Sequence, residues 1–188
     1  MLSGPVLNVP NSLTAIRILL IPVVVVLLVD GRFDYAAAVL LIAAATDGLD
    51  GTIARLANQQ TAIGAYLDPL ADKLLLTTSF LTLALLGLVP AWLAVLIAAR
   101  DGLLLAATVG SRLTASRVDI SPSVLGKGTT VVQLAYLLAV VVLASQHMSL
   151  RIVDPLLYAA AGATLLSGSH YLYRHFYPGA VHARAEQA

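Results

Sequence analysis

The chain has 188 residues, 59% of them hydrophobic and 11% charged, with a formal net charge of +1. A soluble domain carries about 25% charged residues, so the deficit points to an integral membrane protein. With no basic run and no aromatic-rich strand, nucleic-acid binding is set aside, and the lack of cysteine excludes disulfides, thiolate catalysis and Cys-ligated zinc.

A spanning helix needs about 20 mostly apolar residues, and six stretches qualify in turn. The first is expected from about Asn11 to Val29. It carries Arg17 and lacks a basic leader and a small-residue cleavage site, so it reads as a retained helix. The second begins near Tyr35 and continues to about Leu56. The third runs from about Ala62 to Leu88, with Pro69 in its first turns as a bend. The fourth covers Ala91 to about Leu113, the fifth Val124 to Ser145, and the sixth Pro155 to about Arg174. Pro10, Asp34 and Pro155 suit helix starts and Gly31 a helix end. The expected fold is therefore all-α, an integral membrane protein of six transmembrane helices in one domain over residues 1–178. Residues 179–188 are expected as a frayed tail.

Orientation follows from Lys and Arg in the connections. Arg55, Arg112, Arg117, Lys127, Arg174 and Arg184 fall on one side, Arg32 and Arg151 on the other. This places both termini, and the links after the second and fourth helices, in the cytoplasm. The histidines His147, His170, His175 and His182 read as solvated or interfacial groups.

The informative stretch is DGLDGTIARLANQQTAIGAYLDPLADK, residues 47–73. Asp47 and Asp50 lie three apart near the cytoplasmic end of the second helix, and Asp68 and Asp72 four apart inside the third. Each pair shares a helix face, and the short NQQT link makes the two helices antiparallel neighbours. Four carboxylates at one depth would repel or take up protons. Hard divalent cations, Mg²⁺ or Mn²⁺, supply the missing charge, and a two-ion site needs about this many carboxylates. The competing reading makes these acids solvated loop residues or partners of Arg55 and Lys73; acids at membrane depth favour the metal site. Gly51, Ala54 and Gly64 admit either a ligand or a neighbouring helix close to the backbone. Arg55 offers a fork of donors to phosphate. Together these features suggest a diphosphate substrate at the membrane surface.

The pattern Asp47-x-x-Asp50-Gly51-x-x-Ala54-Arg55, followed by Gly64, Asp68 and Asp72, resembles the signature of the CDP-alcohol phosphotransferase family at every position. The likeness extends to the six-helix layout and to the opening NVPNSLTAIRILLIPV. It implies transfer of a phosphatidyl-type group from a CDP-linked lipid to an alcohol, with release of CMP. It further implies that Asp47, Asp50, Asp68 and Asp72 form the metal site and that Asp72 is the general base on the acceptor hydroxyl. Gly51, Ala54, Arg55 and Gly64 would then line the nucleotide pocket. Members of the family are dimeric, with the active site open to the cytoplasmic leaflet.

The signature does not encode the acceptor. Arg112 and Lys127 lie on the expected cytoplasmic side, where they suit an acceptor phosphate or serve as ordinary topological charges. Arg100 either joins them or is neutralised by its neighbour Asp101. The segments ARDGLLLAATVGSR and LGKGTTVVQL resemble the CDP-alcohol-type cardiolipin synthases, whose acceptor is phosphatidylglycerol. Phosphatidylglycerolphosphate synthases, which use glycerol-3-phosphate, share the opening segment and the Gly-Lys loop. On this resemblance the donor is CDP-diacylglycerol and the preferred acceptor phosphatidylglycerol. Two rivals come from other classes. A prenyl-diphosphate transferase also clusters aspartates around Mg²⁺ but has no need of the glycine, alanine and arginine spacing. A divalent-cation transporter is expected to show matching halves, whereas these acids are confined to one hairpin.

Overall fold

The computed structural model describes the backbone of residues 9–57, 64–113 and 124–176, and the side chains of residues 16–46, 71, 73–106 and 125–172. Among the described residues the chain is all-helical, with no strand. The helices are α1 (Val9–Val29), α2 (Phe33–Ala57), α3 (Gly64–Leu85), α4 (Ala91–Leu113), α5 (Val124–Ser145) and α6 (Asp154–Phe176). A 3₁₀ turn at Leu150–Val153 leads into α6. The segments Leu125–Ser145 and Leu150–Leu172 are each long and apolar enough to cross a bilayer core. The expected tail at 179–188 lies outside the described residues.

The helix ends follow one local rule. After α1, the Arg32 amide donates to the Leu27 carbonyl at 2.8 Å and the Gly31 amide to Leu28 at 3.1 Å. Gly31 sits at φ +70°, the left-handed conformation that closes a helix through such a pair of bonds. The same arrangement ends α3, where the Leu88 amide reaches the Leu83 carbonyl at 3.0 Å around Gly87 at φ +73°. The helix therefore stops at Leu85, short of the Leu88 that its apolar run predicts. It also ends α5, with Met148 donating to Leu143 around His147 at φ +53°. There a histidine takes the position that glycine occupies elsewhere, and the helix ends at Ser145, as its apolar run predicts.

The chain divides into two compact units. One comprises residues 1–91 and 137–151, the other residues 92–136 and 152–188, with the boundary inside α5. In the first unit α1 packs against both α2 and α3. Its core is formed by fully buried Leu28, Leu40, Phe80, Leu83 and Val140. The α3 hydroxyls within this apolar setting are satisfied by their own helix: Ser79 donates to the Leu75 carbonyl at 2.7 Å and Thr82 to Thr78 at 2.8 Å. Such back-bonding hides polar groups that have no water to turn to.

The second unit is held differently. Its buried contacts include Leu93, Ile97, Leu157 and Ala160, but a polar seam runs along α6. Thr129 on α5 donates to the Ala163 carbonyl at 3.1 Å, and Gln133 Nε2 donates to Thr164 Oγ1 at 2.8 Å. Arg100 on α4 reaches the same helix one turn further, its Nη2 donating to Ser167 Oγ at 2.7 Å. Helices surrounded by lipid gain little from apolar burial, and interhelical hydrogen bonds of this kind fix their partners and register.

Candidate active site

The acids lie on two helices of the first unit. The α2 backbone remains helical through Asp47, Asp50, Gly51, Ala54 and Arg55, and α3 begins at Gly64 and carries Asp68 and Asp72. The three- and four-residue spacings are therefore helical spacings, and each pair of aspartates shares a face. The side chains of all these residues lie outside the described residues, so the site is defined by register. Its common support is α1, which packs on both acid-bearing helices.

Arg17, which in the sequence only marks α1 as a retained helix, is a buried residue of that helix. It is only 6% exposed. Counted along the antiparallel helices from the turn at residues 30–32, it stands level with Ala45 and Thr46, immediately before Asp47. A buried cation thus sits at the height where the acids begin. Its apolar neighbours Ile16 and Ile18 are exposed, and that contrast around one helix separates an inward arginine from a topological one.

The donor set suits a hard cation. Four carboxylates on helical backbone offer only oxygen, the ligand type preferred by Mg²⁺ and Mn²⁺. Among the described residues, which do not include these four side chains, no group of three His, Cys, Asp or Glu side chains stands together.

The three basic residues expected at the acceptor belong to the second unit. Lys127 is exposed in the first turn of α5. Arg112 is on the last turn of α4, its side chain outside the described residues. Arg100 is buried at 5% exposure, with Nη1 on Asp101 Oδ1 at 2.7 Å and Nη2 on Ser167. Of the two readings of this residue, the structure displays the pairing with Asp101, and it adds a bond to α6 that no local pattern announces. Removing one partner of a buried ion pair leaves an uncompensated charge and costs about 3–5 kcal/mol. Asp101→Ala is accordingly expected to destabilise the protein by about that amount. Reversible unfolding of the purified protein in mixed micelles checks it.

A family model described as CDP-alcohol phosphatidyltransferase matches residues 7–166. The chain is 32% identical to the CDP-diacylglycerol–glycerol-3-phosphate 3-phosphatidyltransferase of Bacillus subtilis, over 90% of this chain and 95% of the relative. It is 44% identical to the human cardiolipin synthase (CMP-forming), over 53% of this chain and 34% of the relative. It is also 40% identical to a putative cardiolipin synthase of Mycobacterium tuberculosis, over 53% of this chain and 48% of the relative. The chain thus aligns with about a third to a half of the cardiolipin synthases and with nearly all of the Bacillus protein.

Proposed function

The chain belongs to the CDP-alcohol phosphatidyltransferase family, and from that premise we propose that it transfers the phosphatidyl group of CDP-diacylglycerol to a glycerol hydroxyl of phosphatidylglycerol, giving cardiolipin and CMP. The observation that carries the chemistry is the helical register of Asp47 and Asp50 on α2 with Asp68 and Asp72 on α3. Asp47, Asp50, Asp68 and Asp72 would hold two divalent cations, Mg²⁺ or Mn²⁺, which when bound would neutralise charge on the diphosphate. Gly51, Ala54 and Gly64 let the cytidine nucleotide approach the backbone, and Arg55 donates to its phosphates.

Asp72 takes the proton from the acceptor hydroxyl as that oxygen bonds to the lipid-side phosphorus. The bond from the same phosphorus to the bridging oxygen breaks, and CMP departs with that oxygen. The domain spans residues 1–178 and crosses the membrane six times. Both termini are cytoplasmic, and the site opens to the cytoplasmic side of a homodimer. The Lys and Arg distribution and the apolar helices support this topology.

A second acceptor has an observation in its favour. The Bacillus relative, named for glycerol-3-phosphate, matches along nearly its whole length. Both acceptors present a glycerol hydroxyl beside a phosphate, and Arg112 and Lys127 suit either. CMP release from CDP-diacylglycerol, measured with each acceptor added alone, tests the assignment; phosphatidylglycerol is expected to give the higher rate.

If Arg112 and Lys127 bind the acceptor phosphate, Arg112→Gln or Lys127→Gln raises the acceptor KM and leaves that for CDP-diacylglycerol nearly unchanged. A charge-assisted hydrogen bond contributes roughly 1.5–3 kcal/mol, about 10- to 150-fold in binding. Equal changes in both constants would move these residues to the donor site or to the fold.

A further inference from the structure

Two aromatic residues head the outward faces of α4 and α6. On α4 the exposed stripe starts at Trp92, 51% exposed, and continues through Val95 and Leu103. On α6 it starts at Tyr158, 69% exposed, and continues through Leu165 and Leu172. Towards the helix starts the chain leaves α4 at Pro90, and α6 opens on exposed Asp154. Each aromatic therefore stands within about one turn of its helix start, beside the short turn at residues 86–90 for α4 and beside exposed Arg151 and Asp154 for α6.

The bond from Arg100 to Ser167 ties the two helices at one level. At the helical rise, Trp92 lies about 12 Å from Arg100 and Tyr158 about 13 Å from Ser167, each towards its helix start. Successive spans alternate in direction, so α4 and α6 run parallel and the two rings share one height. Indole and phenol rings, apolar in body with a polar tip, favour the boundary between lipid carbonyls and water.

We propose that Trp92 and Tyr158 form an interfacial anchor, seated in the headgroup and carbonyl layer of the bilayer at the end where α4 and α6 begin. The partner is the lipid interface. The anchor sets the Arg100–Asp101 pair about 12 Å deeper, well inside a hydrocarbon core about 30 Å thick. This depth accounts for the pair being buried, mutually neutralised and bonded to Ser167, since a charge there is tolerated only with partners. The proposal rests on α4 and α6 being membrane spans.

Trp92 is the chain's single tryptophan, so the unmodified protein reports its own depth. The protein is reconstituted into phosphatidylcholine vesicles brominated either near the carbonyls or near the chain ends, and its tryptophan emission is compared. The anchor predicts greater loss of emission with shallow bromines than with deep ones. Trp92→Phe combined with Tyr158→Trp must return the same order, because the new indole occupies the same level. Stronger quenching by deep bromines in either protein overturns the proposal. So does the absence of lipid quenching, whether iodide reaches the ring from water or a second copy of the chain shields it. Product formation assayed in unbrominated vesicles separates the two readings, since a misplaced anchor leaves catalysis intact and a wrong acceptor leaves the quenching order intact.

Discussion

Asp47→Asn and Asp68→Asn are each expected to abolish turnover while leaving the protein folded. One acid lies on α2 and the other on α3. On the proposed site of four carboxylates and two cations, each substitution would replace a charged oxygen ligand with a neutral amide. The diphosphate then meets too little positive charge both when it binds and when phosphorus is attacked. Excess chelator is expected to produce the same loss in the unaltered enzyme, and added Mg²⁺ or Mn²⁺ to reverse it. The measurement is CMP release, with helix content by circular dichroism as the control for folding. Full activity in excess chelator would remove the metal site from the account.

Asp72→Asn is expected to separate binding from chemistry. A base is needed only when the acceptor hydroxyl attacks, whereas the metal ligands are needed already to hold the donor. The asparagine keeps the shape of the side chain and one oxygen, but it cannot accept the proton. The variant should bind CDP-diacylglycerol with near-normal affinity and turn over about 10²–10⁴-fold more slowly, the usual effect of losing a general base. Asp47→Asn should weaken donor binding as well. Calorimetric titration of donor into both variants, alongside single-turnover rates, distinguishes them. If Asp72→Asn binds donor as poorly as Asp47→Asn, Asp72 acts chiefly as a ligand and the proton goes elsewhere. If it turns over at the normal rate, no base operates at that position.

Much of the helical layout was legible because it depends on local signals. Apolar runs bounded by Pro10, Gly31, Asp34 and Pro155 located the ends of α1, the start of α2 and the start of α6 to within a few residues. The end of α3 was misjudged because its apolar run continues past Gly87, where backbone conformation and not hydropathy stops the helix. The left-handed His147 gave no warning, since its residue type does not demand that conformation.

The candidate site was legible for a different reason. Spacings of three and four on a helix are local geometry, so Asp47 with Asp50 and Asp68 with Asp72 could be paired before any tertiary contact was known. Arg17 and Arg100 were less readable. Whether an arginine in an apolar helix faces inward depends on which neighbours cover it, and the bond from Arg100 to Ser167 joins residues 67 positions apart. That bond is a product of packing, invisible to any window along the chain.

The central claim is phosphatidyl transfer from CDP-diacylglycerol to phosphatidylglycerol, and the identity of the lipid product tests it most directly. Purified protein is incubated with CDP-diacylglycerol, Mg²⁺ and either phosphatidylglycerol or glycerol-3-phosphate, and the lipids are identified by mass. The account predicts cardiolipin with CMP from the phosphatidylglycerol reaction. Phosphatidylglycerolphosphate from glycerol-3-phosphate, with no cardiolipin from phosphatidylglycerol, would contradict it.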